Sequence, residues 1–211
     1  MPAGSQTVAE TVNAVADGRL SSRQWVEHCL EHVRNNEALG CWSFVDEARA
    51  LARADQMDGI RKDGSALGSL HGCPIGVKDI IEVNAMPHGC GSPLMGEVSD
   101  QNAVLVDALE AAGAVILGKT ETTEFAFLNP ARTKNPHSQE FSPGGSSAGS
   151  AAAVASGDVP VAIGSQTNGS VIRPASYCGV YAMKPSAGII PRIGVFEQSP
   201  TLDQMGLFAT S

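Results

Sequence analysis

Basic residues are scarce in this chain and never run together. Lysine and arginine number 14 against 22 aspartates and glutamates, a formal net charge of −8 at pH 7, and none of their runs exceeds a pair. A nucleic-acid surface needs clustered positive charge, so that class of partner is excluded. Long apolar runs are lacking too. No window approaches the roughly 18 uncharged apolar residues of a spanning helix, and no membrane association is expected. The opening MPAGSQTVAE lacks a positive stretch followed by an apolar core, so no signal peptide is expected. The five cysteines, Cys29, Cys41, Cys73, Cys90 and Cys178, are odd in number, widely spaced and never paired as C-x-x-C. A disulfide framework or a structural metal is therefore not expected, and reduced thiols point to the cytoplasm. No internal repeat is evident.

What is present is a hydrophobic content of 43% and 23 glycines, enough for a core with many backbone-built loops. Helical spacing predicts helices over 5–16, 22–36, 46–58 and 102–112, with Ser21 or Ser22 capping the second. Trp25, Cys29, Leu30 and Val33 form the inner face of that second helix; Ala48, Leu51, Ala52 and Met57 form that of the third. Short apolar runs predict strands at 41–45, 72–83, 114–118, 159–164 and in VYAMK, and LDQMGLFATS starts a further element. A small-residue helix is expected over 148–156; its composition resembles a linker, but it lies between core elements. Helices alternating with buried strands argue an α/β fold, a mixed, largely parallel sheet flanked by helices. Residues 1–60 are expected to form an N-terminal helical segment packed on a core of 61–211.

Three familiar patterns fail on context. GAVILGKT (113–120) matches a phosphate loop, but such a loop is an irregular turn, whereas Ala114–Leu117 is an ideal buried strand, with Gly113 a helix stop and Lys119 past the strand's end. HCLEH (28–32) matches H-x-x-E-H, yet His28 and His32 lie toward the solvated flank of their helix and no third ligand is in view. GSSAG (145–149) matches a nucleophile elbow, but that arrangement needs a later histidine, and the last one is His137.

Two serine-glycine turns remain, GGSSAGS (144–150) and GSQTNGSVIR (164–173), both opening short helices. A serine there is ordinarily an N-cap, but unpaired N–H groups at a helix start can also bind an oxyanion. A nucleophilic serine needs a base. With histidine excluded by order, a lysine that loses its proton through burial is the next candidate. Lys78, in PIGVKDII, fits best, unless it simply pairs with Asp79; Lys184, in AMKPS, is the second.

The stretches GCPIGVKD, GAVILGKTETTEF, SPGGSSAGSAAAVASG and IGSQTNGSVIRPASYCGVYAMKP together resemble the amidase signature family of serine hydrolases over nearly the whole chain. The resemblance implies a Ser–cisSer–Lys triad: Lys78 as base, Ser146 on a cis peptide bond as relay, and Ser170 as nucleophile. The amides of Thr167, Asn168, Gly169 and Ser170 would form the oxyanion hole, and no metal or organic cofactor would be needed. The substrate would be a small-molecule amide. Alternatives are a glutaminase-type subunit of an amidotransferase complex and a catalytically silent fragment. Many relatives read G-S-D-x-G-G-S-x-R, where this chain has Gln166 and Asn168. Losing the acid would leave Arg173 without a close partner, placed for a substrate carboxylate, unless it is paired structurally elsewhere. Family members run far longer, so a C-terminal continuation or a second copy is expected to complete the fold.

Overall fold

Side-chain caps set where the first helices begin. The computed structural model describes residues 7–211; residues 5 and 6 of the expected first helix lie outside them. That helix is α1 (Val8–Ala16), with Thr7 and Glu10 exchanging hydrogen bonds in a capping box. Ser21 and Gln24 do the same for α2 (Ser22–Asn35). A 3₁₀ turn (Glu37–Leu39) leads into β1 (Trp42–Val45), followed by α3 (Glu47–Lys62), β2 (Pro74–Lys78), α4 (Val104–Ala111) and β3 (Val115–Thr120). A second 3₁₀ turn (Glu124–Ala126) precedes α5 (Ala148–Ala155), β4 (Val161–Gln166), α6 (Ile172–Cys178), β5 (Tyr181–Met183) and β6 (Gln204–Ala209).

The six strands form one mixed sheet in the order β1-β3-β2-β4-β6-β5. Its centre, β3-β2-β4, is parallel; β1 on one side and β6 and β5 on the other are antiparallel. Every residue of β2 and β3 is buried, as expected of parallel strands covered on both faces. Helix α3 packs on β3, α2 on β2, and α5 on β4, β2 and β3. One hydrophobic cluster runs from Val15 to Phe208 and includes residues of α1 to α3, with Trp42, Phe44 and Val45 of β1 packed against it.

Three sequence expectations change. The apolar run 72–83 is a strand only to Lys78, because the amides of Ile80 and Ile81 both turn back onto the Lys78 carbonyl (2.8 and 3.0 Å); Ile80, Ile81 and Val83 stay buried in the loop that follows. Lys119 lies inside β3, not past its end. The inner face of α3 is Ala50, Ala54, Met57 and Asp58, while Ala48 and Ala52 are exposed. Asp58 turns inward because its carboxylate accepts from the Ser22 and Arg23 amides at the start of α2 (2.8 and 3.1 Å).

Helix α5 approaches the sheet more closely than a side chain would allow. A Cβ on Gly149 would run into the Cys41 carbonyl and the Glu121 amide. Gly149→Ala is therefore expected to destabilise the chain by about 2 kcal/mol or more. Gly59→Ala, in α3 where a Cβ meets nothing within 4 Å, should stabilise it by roughly 0.5–1 kcal/mol. Urea unfolding of both variants checks the pair; equal effects would count against this packing.

Candidate active site

The site lies where the central parallel strands end, the edge of an open α/β sheet at which ligands commonly bind. Lys78, the last residue of β2, is wholly buried. Its Nζ donates to Ser146 Oγ (2.7 Å) and to Ser165 Oγ (2.8 Å). Asp79 does not pair with it. That carboxylate accepts from Lys119 Nζ (2.9 Å) and from the Gly89 amide (3.1 Å), and Lys119 also reaches the Pro87 carbonyl (2.9 Å). Lys119 is thus a second fully buried lysine, neutralised by its own acid, while Lys78 has only hydroxyl partners. Burial lowers the Lys78 pKa from 10.5 to about 7, and the negative charge of Asp203 acts in the opposite direction. Lys184 is excluded as the base: its Nζ bonds the Pro185 carbonyl (2.7 Å) beyond β5.

The Gly145–Ser146 peptide bond is cis. The Ser146 carbonyl is gripped by Thr122 Oγ1 and by the Thr123 and Ala148 amides (3.1, 3.1 and 2.9 Å). Ser147 ties this turn to the other: its Oγ donates to the Ser165 carbonyl (3.2 Å) and accepts from the Ser165 amide (3.3 Å), and its amide donates to the Ser170 carbonyl (3.3 Å). Ser147 is wholly committed to these contacts, which disposes of the nucleophile-elbow pattern.

Ser170 sits on the turn between β4 and α6 and is 9% exposed. Its hydroxyl makes no hydrogen bond among the described residues, so Lys78 and Ser146 are joined directly whereas Ser146 and Ser170 are not. The amides of Asn168, Gly169 and Ser170 likewise have no partner among the described residues. The next two, Val171 and Ile172, are taken by Gln166 Oε1 (both 3.0 Å). Arg173 is exposed, with Nη2 2.9 Å from where a Cβ on Gly169 would stand. No carboxylate lies within ion-pairing distance of it among the described residues.

Sequence reasoning missed Ser165, Thr167's side-chain role, Gln198 and Asp203. Ser165 had a signal: β4 runs beside β2 in register Val77↔Ile163, which carries Ser165 past the strand end beside Lys78. His28 and His32 stack edge to face at 4.6 Å, and no group of three potential metal ligands is assembled among the described residues. Nor is any described helix long and apolar enough to cross a membrane.

A paired lysine and serine, two serine-bearing turns and amides without partners among the described residues meet at the strand ends. Residues 24–211 match the Amidase family model, and the chain belongs to that family. It is 38% identical over 205 residues to a glutamyl-tRNA(Gln) amidotransferase subunit from Clostridium botulinum, covering 93% of this chain and 42% of that protein. The corresponding protein of a Synechococcus species is 39% identical over 213 residues, covering 97% and 44%. The peptide amidase of Stenotrophomonas maltophilia superposes with a TM-score of 0.94 at 33% identity, covering 100% of this chain and 46% of that one. The chain therefore spans less than half the length of these relatives.

Because the folded-state pKa of Lys78 lies below its unfolded value of 10.5, folding releases its proton. Its contribution to stability rises with pH between about 7 and 10.5 and is lost as pH falls through that window. Carbon-13 NMR of the lysine ε-carbons should show one resonance titrating near pH 7, absent in Lys78→Met; titration of every lysine above pH 10 would overturn the desolvation argument.

Proposed function

We propose that this chain carries the catalytic centre of an amidase that hydrolyses a carboxamide through an acyl-enzyme on Ser170. The observation that carries the reading is a buried amine with no carboxylate partner, bonded to Ser146, beside a turn that offers Ser170 and unpaired amides. Neutral Lys78 accepts the Ser146 proton as Ser146 accepts that of Ser170. The Ser170 hydroxyl, tied to no partner, is free to turn toward Ser146 when substrate arrives. Ser170 Oγ bonds to the amide carbon, and the carbonyl π pair moves onto oxygen, where the amides of Thr167 to Ser170 receive it. The intermediate collapses with cleavage of the C–N bond, the proton on Lys78 returning through Ser146 to the leaving nitrogen. Water, deprotonated by the same relay, then attacks the acyl carbon and releases carboxylate and Ser170. The residues require no metal or organic cofactor for these steps.

Arg173, unpaired beside Gly169, favours a substrate bearing a carboxylate. The amidotransferase proteins among the relatives favour a second reading, in which the ammonia released is passed to a partner subunit. In either case more protein is needed. Ile172, Tyr177, Tyr181 and Met183 on α6 and β5 are about half exposed or more, a face for a continuation of the chain or a second copy to cover. A cytoplasmic setting suits the five buried free cysteines.

A fluorophosphonate probe is expected to label Ser170 covalently, with none in Ser170→Ala and a rate about a hundredfold or more lower in Lys78→Ala; an unlabelled wild-type protein identifies a silent scaffold instead. On amide substrates, Arg173→Ala should lose at least tenfold more activity on a carboxylated than on a neutral amide. Equal losses reject the carboxylate role. Ammonia transfer on adding candidate partner subunits would select the second reading.

A further inference from the structure

The four amides proposed to meet the oxyanion lie between two side-chain clamps. The clamp on their C-terminal side is Gln166, whose Oε1 holds the Val171 and Ile172 amides. The other lies on the N-terminal side and involves Asp203, which lies outside the four stretches quoted for the resemblance and outside the proposed triad. Backbone pairing between β4 and β6 ends at Gln166↔Gln204. The next residues, Thr167 and Asp203, are joined by their side chains instead: Thr167 Oγ1 donates to Asp203 Oδ1. Asp203 is 8% exposed. Its other oxygen accepts from the Gln198 and Ser199 amides (2.7 and 2.8 Å). Gln198 Oε1 stands 2.6 Å from the same hydroxyl, whose one proton goes to the carboxylate, and Gln198 Nε2 donates to the Ala126 carbonyl (3.2 Å). Ala126 belongs to the segment whose Thr122 and Thr123 hold the Ser146 carbonyl. One carboxylate thus connects the oxyanion turn, the 198–203 loop and, through Gln198, the segment that grips the relay serine.

We propose that Asp203 is a positioning residue for amide hydrolysis, fixing the oxyanion turn through the Thr167 hydroxyl. This rests on the reading of Ser170 as nucleophile. The physical reason is placement. Hydrogen-bond donors stabilise a developing oxyanion only when held within about half an ångström of their working positions. Amides that have no partner of their own depend on the residues flanking them for that. A charge-assisted bond from a buried carboxylate with two further donors is a stiff anchor. A free Thr167 would let the turn drift while leaving the Lys78–Ser146 pair intact.

The test is the kinetics of Ser170 labelling by a fluorophosphonate probe, resolved into the maximal rate and the half-saturating probe concentration. Thr167→Val, which keeps shape and loses the hydroxyl, and Asp203→Asn are each expected to lower the maximal rate about tenfold and leave half-saturation unchanged. Thr167→Ser, which restores the hydroxyl, should recover at least half of the wild-type rate. Because Asp203→Asn also removes a negative charge that raises the Lys78 pKa, rates are compared well above pH 7, where the amine is neutral. There the double variant Thr167→Val/Asp203→Asn should be no slower than the slower single one, since both act on the same contact. An unchanged rate in Thr167→Val, failure of Thr167→Ser to recover, or multiplied losses in the double variant overturns the clamp. Should Asp203→Asn not fold, the Thr167→Val and Thr167→Ser pair decides, because both keep the carboxylate and its two loop amides. Wild-type protein unlabelled at Ser170 brings down the nucleophile reading and the clamp with it; labelled wild type with unaffected variants brings down the clamp alone.

Discussion

Burial lowers the pKa of both buried lysines here, but only one of them keeps a counter-ion against it. Lys119 keeps Asp79 at 2.9 Å. Lys78, one residue before that same aspartate in sequence, is left with two hydroxyls and a pKa near 7. The chemistry proposed for the site depends on this division. Were Asp79 turned toward Lys78, its charge would favour the protonated amine and weaken it as a base. The partner that turns it away comes from β3, through a residue in the stretch that imitates a phosphate loop. GAVILGKT is therefore part of the site's construction after all: its lysine claims the acid that would otherwise weaken the base.

The second constraint is closeness. The serine-glycine-alanine stretch has the composition of a flexible tether, yet Ala148–Val154 is buried at every position. Small residues are required because α5 is fastened to the sheet by side chains short enough to reach backbone. Ser150 Oγ donates to the Ile163 carbonyl (3.0 Å) and lies 2.7 Å from Thr120 Oγ1, and Ser147 bridges to Ser165. A Cβ on Gly164 would stand 2.7 Å from Ser147 Oγ. Larger residues at these points would lift the helix and carry Ser146 away from Lys78.

Local chemistry was legible in the sequence and long-range pairing was not. The cap at Ser21, the buried strand in AVILG, the small-residue helix and the place of Lys78 at the end of an apolar run all follow from neighbours within a few positions. The loop at 79–83 was misread because a buried turn is as apolar as a strand, and only the Lys78 carbonyl's two bonds distinguish them. The inner face of α3 was misread because alanines fit either side; the deciding group is Asp58, whose partners lie at the start of α2. Lys119 with Asp79, and Thr167 with Asp203, join residues distant in sequence, and no spacing rule announces them. Ser165 fell between the two cases, adjacent to a recognised turn but pointing at a strand whose order in the sheet had to be known.

Gln166, where the resemblance to the family leads one to expect an acid, has two consequences that separate cleanly. As a hydrogen-bond acceptor, glutamine does what a carboxylate would do for α6: one oxygen holds the Val171 and Ile172 amides at 3.0 Å. That keeps the turn's C-terminal end fixed and leaves the amides before it unoccupied. As a charge, it does nothing, and Arg173, nearby on α6, keeps an unneutralised guanidinium over Gly169. An exposed, unpaired arginine is ordinary by itself. Beside the proposed nucleophile, flanked by amides without partners among the described residues, it places one positive charge close to the turn. The proposed preference for a carboxylated substrate would thus rest on one capping position, while the structural work of the cap continues.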